Sequence, residues 1–410
     1  MAAIVIALSI PVFFVLILIE ALVAHRQGRR VYRFNDAITD LSCGIGNQVT
    51  HLGMAVVEIA VYAAAASYAV LPAWPKDVWW TWVVALLLYD HQFYWWHRTT
   101  HRSSLFWTTH VVHHQSEEYN LAVALRQCWF APLSGIPFYA PLFLLGMPGD
   151  MFLVIALTDL LYQFWIHTEL IRTVGPLEWV FNTPSHHRVH HAVNPAYIDK
   201  NHGGIFMFWD RLYGTFQKET VAPTYGVVEP IRSFDPIGVN FTPFVSLARK
   251  VASMPDLPSK LWALIGPPEW RPASMGGDVV IPEPTPHRIT WDPTSTRPVH
   301  AYILVQFVLT GLVTGATLAR WEVWSAPARL LTVACVLAAT WSWGALFERK
   351  RAGFVVDVVR IAALPIAGAL IAACDPVAHV AFPLSVAMAL GSTAWWVLGG
   401  HAALPARDAT

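Results

Sequence analysis

Ten of the chain's 18 histidines fall between His97 and His191, and they come in boxes: HRTTH (His97, His101), HVVHH (His110, His113, His114), a single His167, and HHRVHH (His186, His187, His190, His191). On a helix, residues four apart share a face, so His97 and His101 stack as a metal chelate requires, as do the pairs His186/His190 and His187/His191. If helical, HVVHH keeps its three imidazoles within about 100° of arc. One metal takes about four to six ligands, so this many imidazoles argue for two metals. Packed without metal they would repel on protonation and leave buried nitrogens unpaired. Imidazole suits zinc, copper, iron and nickel alike. A structural zinc site usually recruits Cys, and a zincin needs Glu where HRTTH has Arg98, so neither pattern fits and spacing leaves the metal open.

The elements that must carry these boxes are membrane helices. At 55% hydrophobic and 13% charged residues, with mean hydropathy +0.44, the chain reads as all-α and polytopic, a transmembrane helix bundle. Its zero net charge and lack of a basic stripe give no reason to expect nucleic acid. Cys43, Cys128, Cys335 and Cys374 lie in apolar runs with no CxxC pair, and read as buried thiols. The first span, Ala3 to Ala24 with a kink at Pro11, reads as a retained helix whose following basic cluster (His25 to Arg30) belongs in the cytoplasm, leaving the N-terminus outside. A second span, about Leu41 to Val70, returns to a tryptophan belt at Trp79, Trp80 and Trp82. A third, about Val78 to Trp96, delivers HRTTH to the cytoplasmic end. Two shorter apolar segments between Cys128 and Leu170, split at Gly146 to Gly149, form a hairpin that ends at His167 on the same side. The predicted site is thus a cytoplasm-facing, histidine-rich di-metal centre.

From Ile171 to Pro298 the chain holds 17 of its 29 prolines and reads as a cytoplasmic segment, loop-like after about Val221. Four spans follow, near His300 to Leu318, Leu330 to Leu346, Phe354 to Ala373 and Val377 to Leu398. Their cores read as free of Asp, Glu, Lys and Arg, which offers no ion path and argues against a transporter. The expected divisions are 1–34 (first helix and basic loop), 35–216 (catalytic domain with the boxes), 217–298 (Pro-rich segment) and 299–410 (four-helix membrane region). No GxGxxG, P-loop or CxxCH occurs, so reducing equivalents must come from an external donor.

The order HxxxH, HxxHH, single His, HHxxHH resembles the fatty acid hydroxylase/sterol desaturase superfamily of membrane di-iron enzymes. Within it, DHQFYWWHRTTH (90–101), HHQSEEYNLAVALRQ (113–127), QFWIHTE (163–169) and FNTPSHHRVHHAVNPAYIDKNHGGIFMFWDRLYGTF (181–216) are similar to the alkylglycerol monooxygenase branch. The resemblance implies two iron ions that activate O₂ to hydroxylate a C–H bond of a lipid drawn from the bilayer. In that branch the carbon is the ether-linked one of an alkylglycerol and the reductant tetrahydrobiopterin; the alternative is a sterol, fatty-acyl or polar-lipid hydroxylase or desaturase with a redox protein as donor. The implied ligands are His97, His101, His110, His113, His114, His167, His187, His190 and His191, with His186 as a tenth. His202 stands in DKNHGG where the resemblance would place a tyrosine.

Neighbouring polar residues are candidates for orienting the ligands. Asp90 lies seven and eleven residues before the first two histidines, on their helix face, and Glu169 lies two after His167. Glu117 and Glu118 follow the second box, and Asn194, with Asn182, Asn201, Asp199 and Lys200, flanks the last one, where a pterin or lipid head group could be held. Trp209-Asp210-Arg211 reads as fold support through a charge pair, and His91 as structural.

Overall fold

The computed structural model describes residues 2–284 and 290–398. Its regular structure is helical, and the only β pairing among the described residues is two isolated bridges, Phe181 with Phe206 and Ala192 with Tyr225. The chain divides into two compact units. One comprises Met1–Arg33, His51–Ile231 and Asn240–Ile289; the other comprises Phe34–Thr50, Arg232–Val239 and Thr290–Thr410. Every histidine of the boxes belongs to the first.

In chain order the helices are α1 (Ala2–Arg26), α2 (Phe34–Ser67), α3 (Trp79–Arg102), the short α4 (Ser104–Trp107) and α5 (Val111–His114), α6 (Ala131–Leu144), α7 (Gly149–Trp165), α8 (Pro184–His190), α9 (Phe208–Leu212), α10 (Gly238–Ser253), α11 (Leu257–Ile265), α12 (Arg297–Arg320), α13 (Ala326–Phe347), α14 (Arg351–Cys374) and α15 (Ala381–Leu398). Among the described residues, five helices are long and apolar enough to cross a bilayer: α2, α12, α13, α14 and the Pro376–Leu398 stretch that ends in α15. The protein is a multi-pass membrane protein. Though read as a span to Trp96, α3 is not among the five, because Asp90, His91, Gln92 and the first histidine box load its C-terminal half with polar groups.

In the first unit, α6 and α7 form the expected hairpin. Gly146 closes it at φ +87°, a conformation that costs only glycine nothing, and a Cβ there would lie 2.5 Å from the Pro72 carbonyl oxygen. Val70 N and Trp74 N donate to Leu144 O and Gly146 O, which ties the preceding loop to the turn. Tyr89 of α3 stacks on Tyr139 of α6 at 4.9 Å, and Ala85, Leu142, Met147, Met151 and Ile155 complete the contact. Close packing and ring contacts hold these helices together. They hold the first half of α3, the helix whose far end bears His97 and His101.

Two expectations are corrected. The segment after Val221, read as loop from its prolines, contains α10 and α11; Pro258 sits at the second position of α11, where a missing N–H costs nothing, and Asp256 caps it by accepting from Ser259 N at 2.7 Å. The cores of the last spans are not free of charge either. In the second unit, Asp357 and Arg360 of α14 are buried and paired at 2.7 Å; Asp357 also accepts from Tyr302, Trp396 and Ser342, and Arg360 donates to Gln306. Residues three apart on a helix are neighbours, so the two charges compensate each other inside the helix bundle, which is why an acid and a base are tolerated there.

Candidate metal centre

The ends of α3 and α7, the short α5 and α8, and the turns between them bring nine histidines together in two groups. His97, His101, His110, His114 and His190 form one; His113, His167, His187 and His191 form the other. Helical spacing explains the partition. The i, i+4 pairs His97/His101, His110/His114 and His187/His191 each stay within one group, whereas His113 and His190, one residue before a partner of the opposite group, turn about 100° away.

Four of the nine rings are aimed from behind. Nδ1 of His97, His113, His167 and His190 lies 2.7–3.0 Å from the main-chain carbonyls of His202, Arg126, Gln163 and Lys200. A carbonyl can only accept, so these Nδ1 atoms carry the proton and Nε2 keeps its lone pair. Nε2 atoms then face one another: His97 to His110 at 3.0 Å, His114 to His110 at 3.1 Å, His113 to His167 at 3.1 Å, His167 to His187 at 3.0 Å and His187 to His191 at 3.2 Å. Between His113 and His167 both lone pairs point inward with no proton to share. Two nitrogens each about 2.1 Å from one metal and at right angles would be about 3.0 Å apart, so the donor spacing suits a cation. Nε2 of His101 and of His190 are buried without a hydrogen-bond partner, as ligand atoms would be.

Electrostatics keep the rings neutral, the form that binds metal. Burial first, then the charge of neighbouring imidazoles, holds His110, His114, His187, His190 and His191 well below the usual histidine range, and burial pushes His113 down to about 4.

Among the expected orienting residues, Asp90 touches the site through the main chain. One carboxylate oxygen accepts from Ile205 N at 2.6 Å, the other from Phe206 N at 3.2 Å and Trp209 Nε1 at 2.9 Å, which pins the turn whose His202 carbonyl holds His97. Gly204 permits this approach, since a Cβ there would be 2.6 Å from the Asp90 carboxylate. Glu169 pairs with Arg29 at 2.8 Å. Asn194 accepts from Thr224 N and donates to Ala222 O, strapping the chain after the last box. Arg33 pairs with Glu118 at 2.5 Å, and His91 lies 2.9 Å from the Tyr213 hydroxyl.

Other placements differ from expectation. His186 is in neither group; its Nδ1 lies 3.3 Å from Thr183 Oγ1 and its ring edges Phe216. Instead of pairing with Arg211, Asp210 accepts from His202 N, Gly203 N and Thr215 Oγ1, while Arg211 lies over the rings of Trp179 and Phe216. Sequence reading passed over Glu20, which accepts from Tyr32, Thr168 Oγ1 and Leu121 N beside the His167 turn. A lone carboxylate in an apolar run of helix was the signal available. It also missed Arg188, whose guanidinium forks onto Glu219 and donates to the carbonyls of Thr168, Ile171 and Arg172, binding the His167 turn to α8. Tyr119, stacked on His167, donates to Ile166 O.

The family model for fatty acid hydroxylases matches residues 82–215, the stretch that holds all nine clustered histidines. Over nearly the whole chain, the alkylglycerol monooxygenase of Danio rerio is 36% identical across 392 residues, 95% of this chain and 87% of the fish protein. The chain belongs to the fatty acid hydroxylase family. The alkylglycerol monooxygenase of Homo sapiens is 35% identical over 353 residues, 85% of this chain and 79% of its own length. A more distant family relative, the ornithine lipid hydroxylase of Rhizobium tropici, is 31% identical over 135 residues, 33% of this chain and 41% of its own. No solved structure matches. This member of the fatty acid hydroxylase family is therefore a membrane enzyme, homologous to alkylglycerol monooxygenases, with histidine clusters suited to a pair of metals.

Proposed function

We propose that the protein is a di-iron lipid monooxygenase that hydroxylates the ether-linked carbon of an alkylglycerol, with tetrahydropterin as the reductant. The observation that carries the metal part is the pairing of inward-facing Nε2 lone pairs in two groups, backed on four rings by main-chain carbonyls. Iron, the ether lipid and the pterin rest on likeness to the alkylglycerol monooxygenases, which extends over 85–95% of this chain. When bound, two irons supply the activation of O₂ that lets an unreactive C–H bond be oxidised.

The chain's own part is to hold, aim and shield. The nine histidines are the ligands this reading assigns, with His186 outside the set. Arg126 keeps the second box in shape, taking His113 Nδ1 on its carbonyl while its guanidinium donates to Val112 O and Gln115 Oε1. Burial keeps water from the donors. For the lipid, an apolar pocket of about 470 Å³ is lined by Leu105, Phe106, Thr109, Phe130, Leu133, Ser134, Phe241 and Phe244. Trp96 separates it from the metal groups: its Nε1 donates to Ser134 Oγ, and its ring lies 5.8 Å from that of His110. Thr109 of the lining adjoins His110 in sequence, so a tail in this pocket would place the lipid beside the five-histidine group. The Arg29–Glu169 pair joins the basic loop after α1 to the turn of His167, which supports a cytoplasmic site by the positive-inside rule.

The test is twofold. Purified protein should carry close to two irons per chain and turn over an alkylglycerol only when tetrahydropterin is added. Equal turnover with a ferredoxin or cytochrome donor alone would overturn the pterin assignment, and full metal content in both His113→Ala and His190→Ala would overturn the ligand assignment.

A further inference from the structure

His202 belongs to neither histidine group, yet it is fully buried and neither of its ring nitrogens has a hydrogen-bond partner. A buried polar atom left unpaired is unfavourable, and this ring has two. A phenylalanine in its place would avoid that cost.

The surroundings give the ring a direction. Its centroid lies 5.3 Å from that of His101, 5.7 Å from His97 and 5.8 Å from His190, three members of the five-histidine group. On the other side, Asp210 Oδ1 lies 3.8 Å from Nδ1. One donor atom of His202 is within 4.8 Å of donor atoms on His101 and Asp199. The backbone leaves the ring little choice of position. His202 N and Gly203 N both donate to the Asp210 carboxylate at 2.7 Å, and the His202 carbonyl lies 2.9 Å from His97 Nδ1. Asn201 is held at φ +58° by hydrogen bonds to His186 O and Gln217 O, and a Cβ on Gly203 would strike Phe206 O at 2.5 Å. The imidazole is thus positioned by main-chain anchors alone, with both nitrogens unspent, as are Nε2 of His101 and His190 beside it.

We propose that His202 gives a further imidazole nitrogen to the metal held by His97, His101, His110, His114 and His190. The proposal rests on the reading of the two groups as metal sites. Its consequence is asymmetry: six donors around one metal against four around the other, so the positions open to a small molecule lie on the His113, His167, His187 and His191 side.

The experiment uses full-length protein in detergent, stripped of metal and reloaded with cobalt(II). It reads cobalt per chain, the visible cobalt bands and the rate of release to a chelator. Wild type should take two cobalt ions. His202→Phe should still take two, but release one of them about 10–100-fold faster, with stronger visible bands as one coordination number falls. His202→Gln serves if the phenylalanine variant does not fold. Two bound ions with wild-type bands and release rates in either variant would overturn the proposal and leave His202 a packing residue. A third ion lost on His202→Phe or Asp199→Asn would also overturn it, in favour of a separate cation site. Failure of wild type to hold two ions would refute the underlying metal reading instead, so the two failures are distinguishable.

Discussion

Asp90→Asn isolates a link between a buried carboxylate and a proposed metal ligand, His97, that it does not touch. Asp90 has two acceptor oxygens facing three donors, Ile205 N, Phe206 N and Trp209 Nε1, at 2.6, 3.2 and 2.9 Å. Asparagine keeps one oxygen and presents an NH₂ group where the other was, so at least one donor would face a donor in a fully buried place. A hydrogen bond to a charged group contributes about 1.5–3 kcal/mol and an orphaned buried donor costs about 1–3, so a loss of roughly 2–4 kcal/mol falls on this turn. Three residues before Ile205, the His202 carbonyl orients His97 through Nδ1. Loss of such outer contacts typically weakens metal binding about 10–100-fold. The variant should therefore release the metal of the five-histidine group about 10–100-fold faster to a chelator, keep the other metal at its wild-type rate, and melt at lower temperature. If both metals leave at wild-type rates while the melting temperature falls, Asp90 braces the fold and the transmission through residues 202–205 is refuted. Equal acceleration of both metals would refute it as well, since only His97 is tied to that turn.

Three further outcomes follow from the same geometry. With folded-state affinities for protons pushed below the ordinary value of 6.5, the buried histidines leave the unfolded chain binding more protons, so stability of the metal-free protein is present above about pH 6.5 and falls as pH drops toward about 4, by about 1.4 kcal/mol per pH unit for each such ring; melting temperatures that stay flat from pH 7.5 to 5 would refute this. Leu133→Trp should crowd the apolar pocket and raise KM for long alkyl chains while short-chain substrates keep theirs, a chain-length split that kinetic measurement on a substrate series would detect. In the second unit, Asp357→Leu alone should cost about 3–5 kcal/mol by stranding Arg360, and Asp357→Leu with Arg360→Leu should recover much of that, as denaturation of the single and double variants would reveal.

Much of the site was legible because histidine spacing is a surface property of short helices: i, i+4 pairs name their own face, and three such pairs account for six of the nine clustered rings. The group of His167 was not legible, since it depends on where α7 ends relative to α5 and α8. His186 shows the limit of the rule. Its i, i+4 relation to His190 is sound on paper, but the first turn of α8 points it to Thr183 and Phe216. Asp210 and Arg211 are adjacent in sequence and separate in partner, because a carboxylate that caps two main-chain N–H groups is already satisfied. The helices α10 and α11 were hidden by prolines, which break helices in the interior but are welcome in a first turn.

Neighbouring residues serve opposite groups twice: His113 beside His114, and His190 beside His191. Two peptide bonds therefore yoke the metal positions together. If each group holds an ion as proposed, a backbone shift at either pair is felt by both sites at once, whereas His167, with no clustered neighbour in sequence, reports on its own group alone.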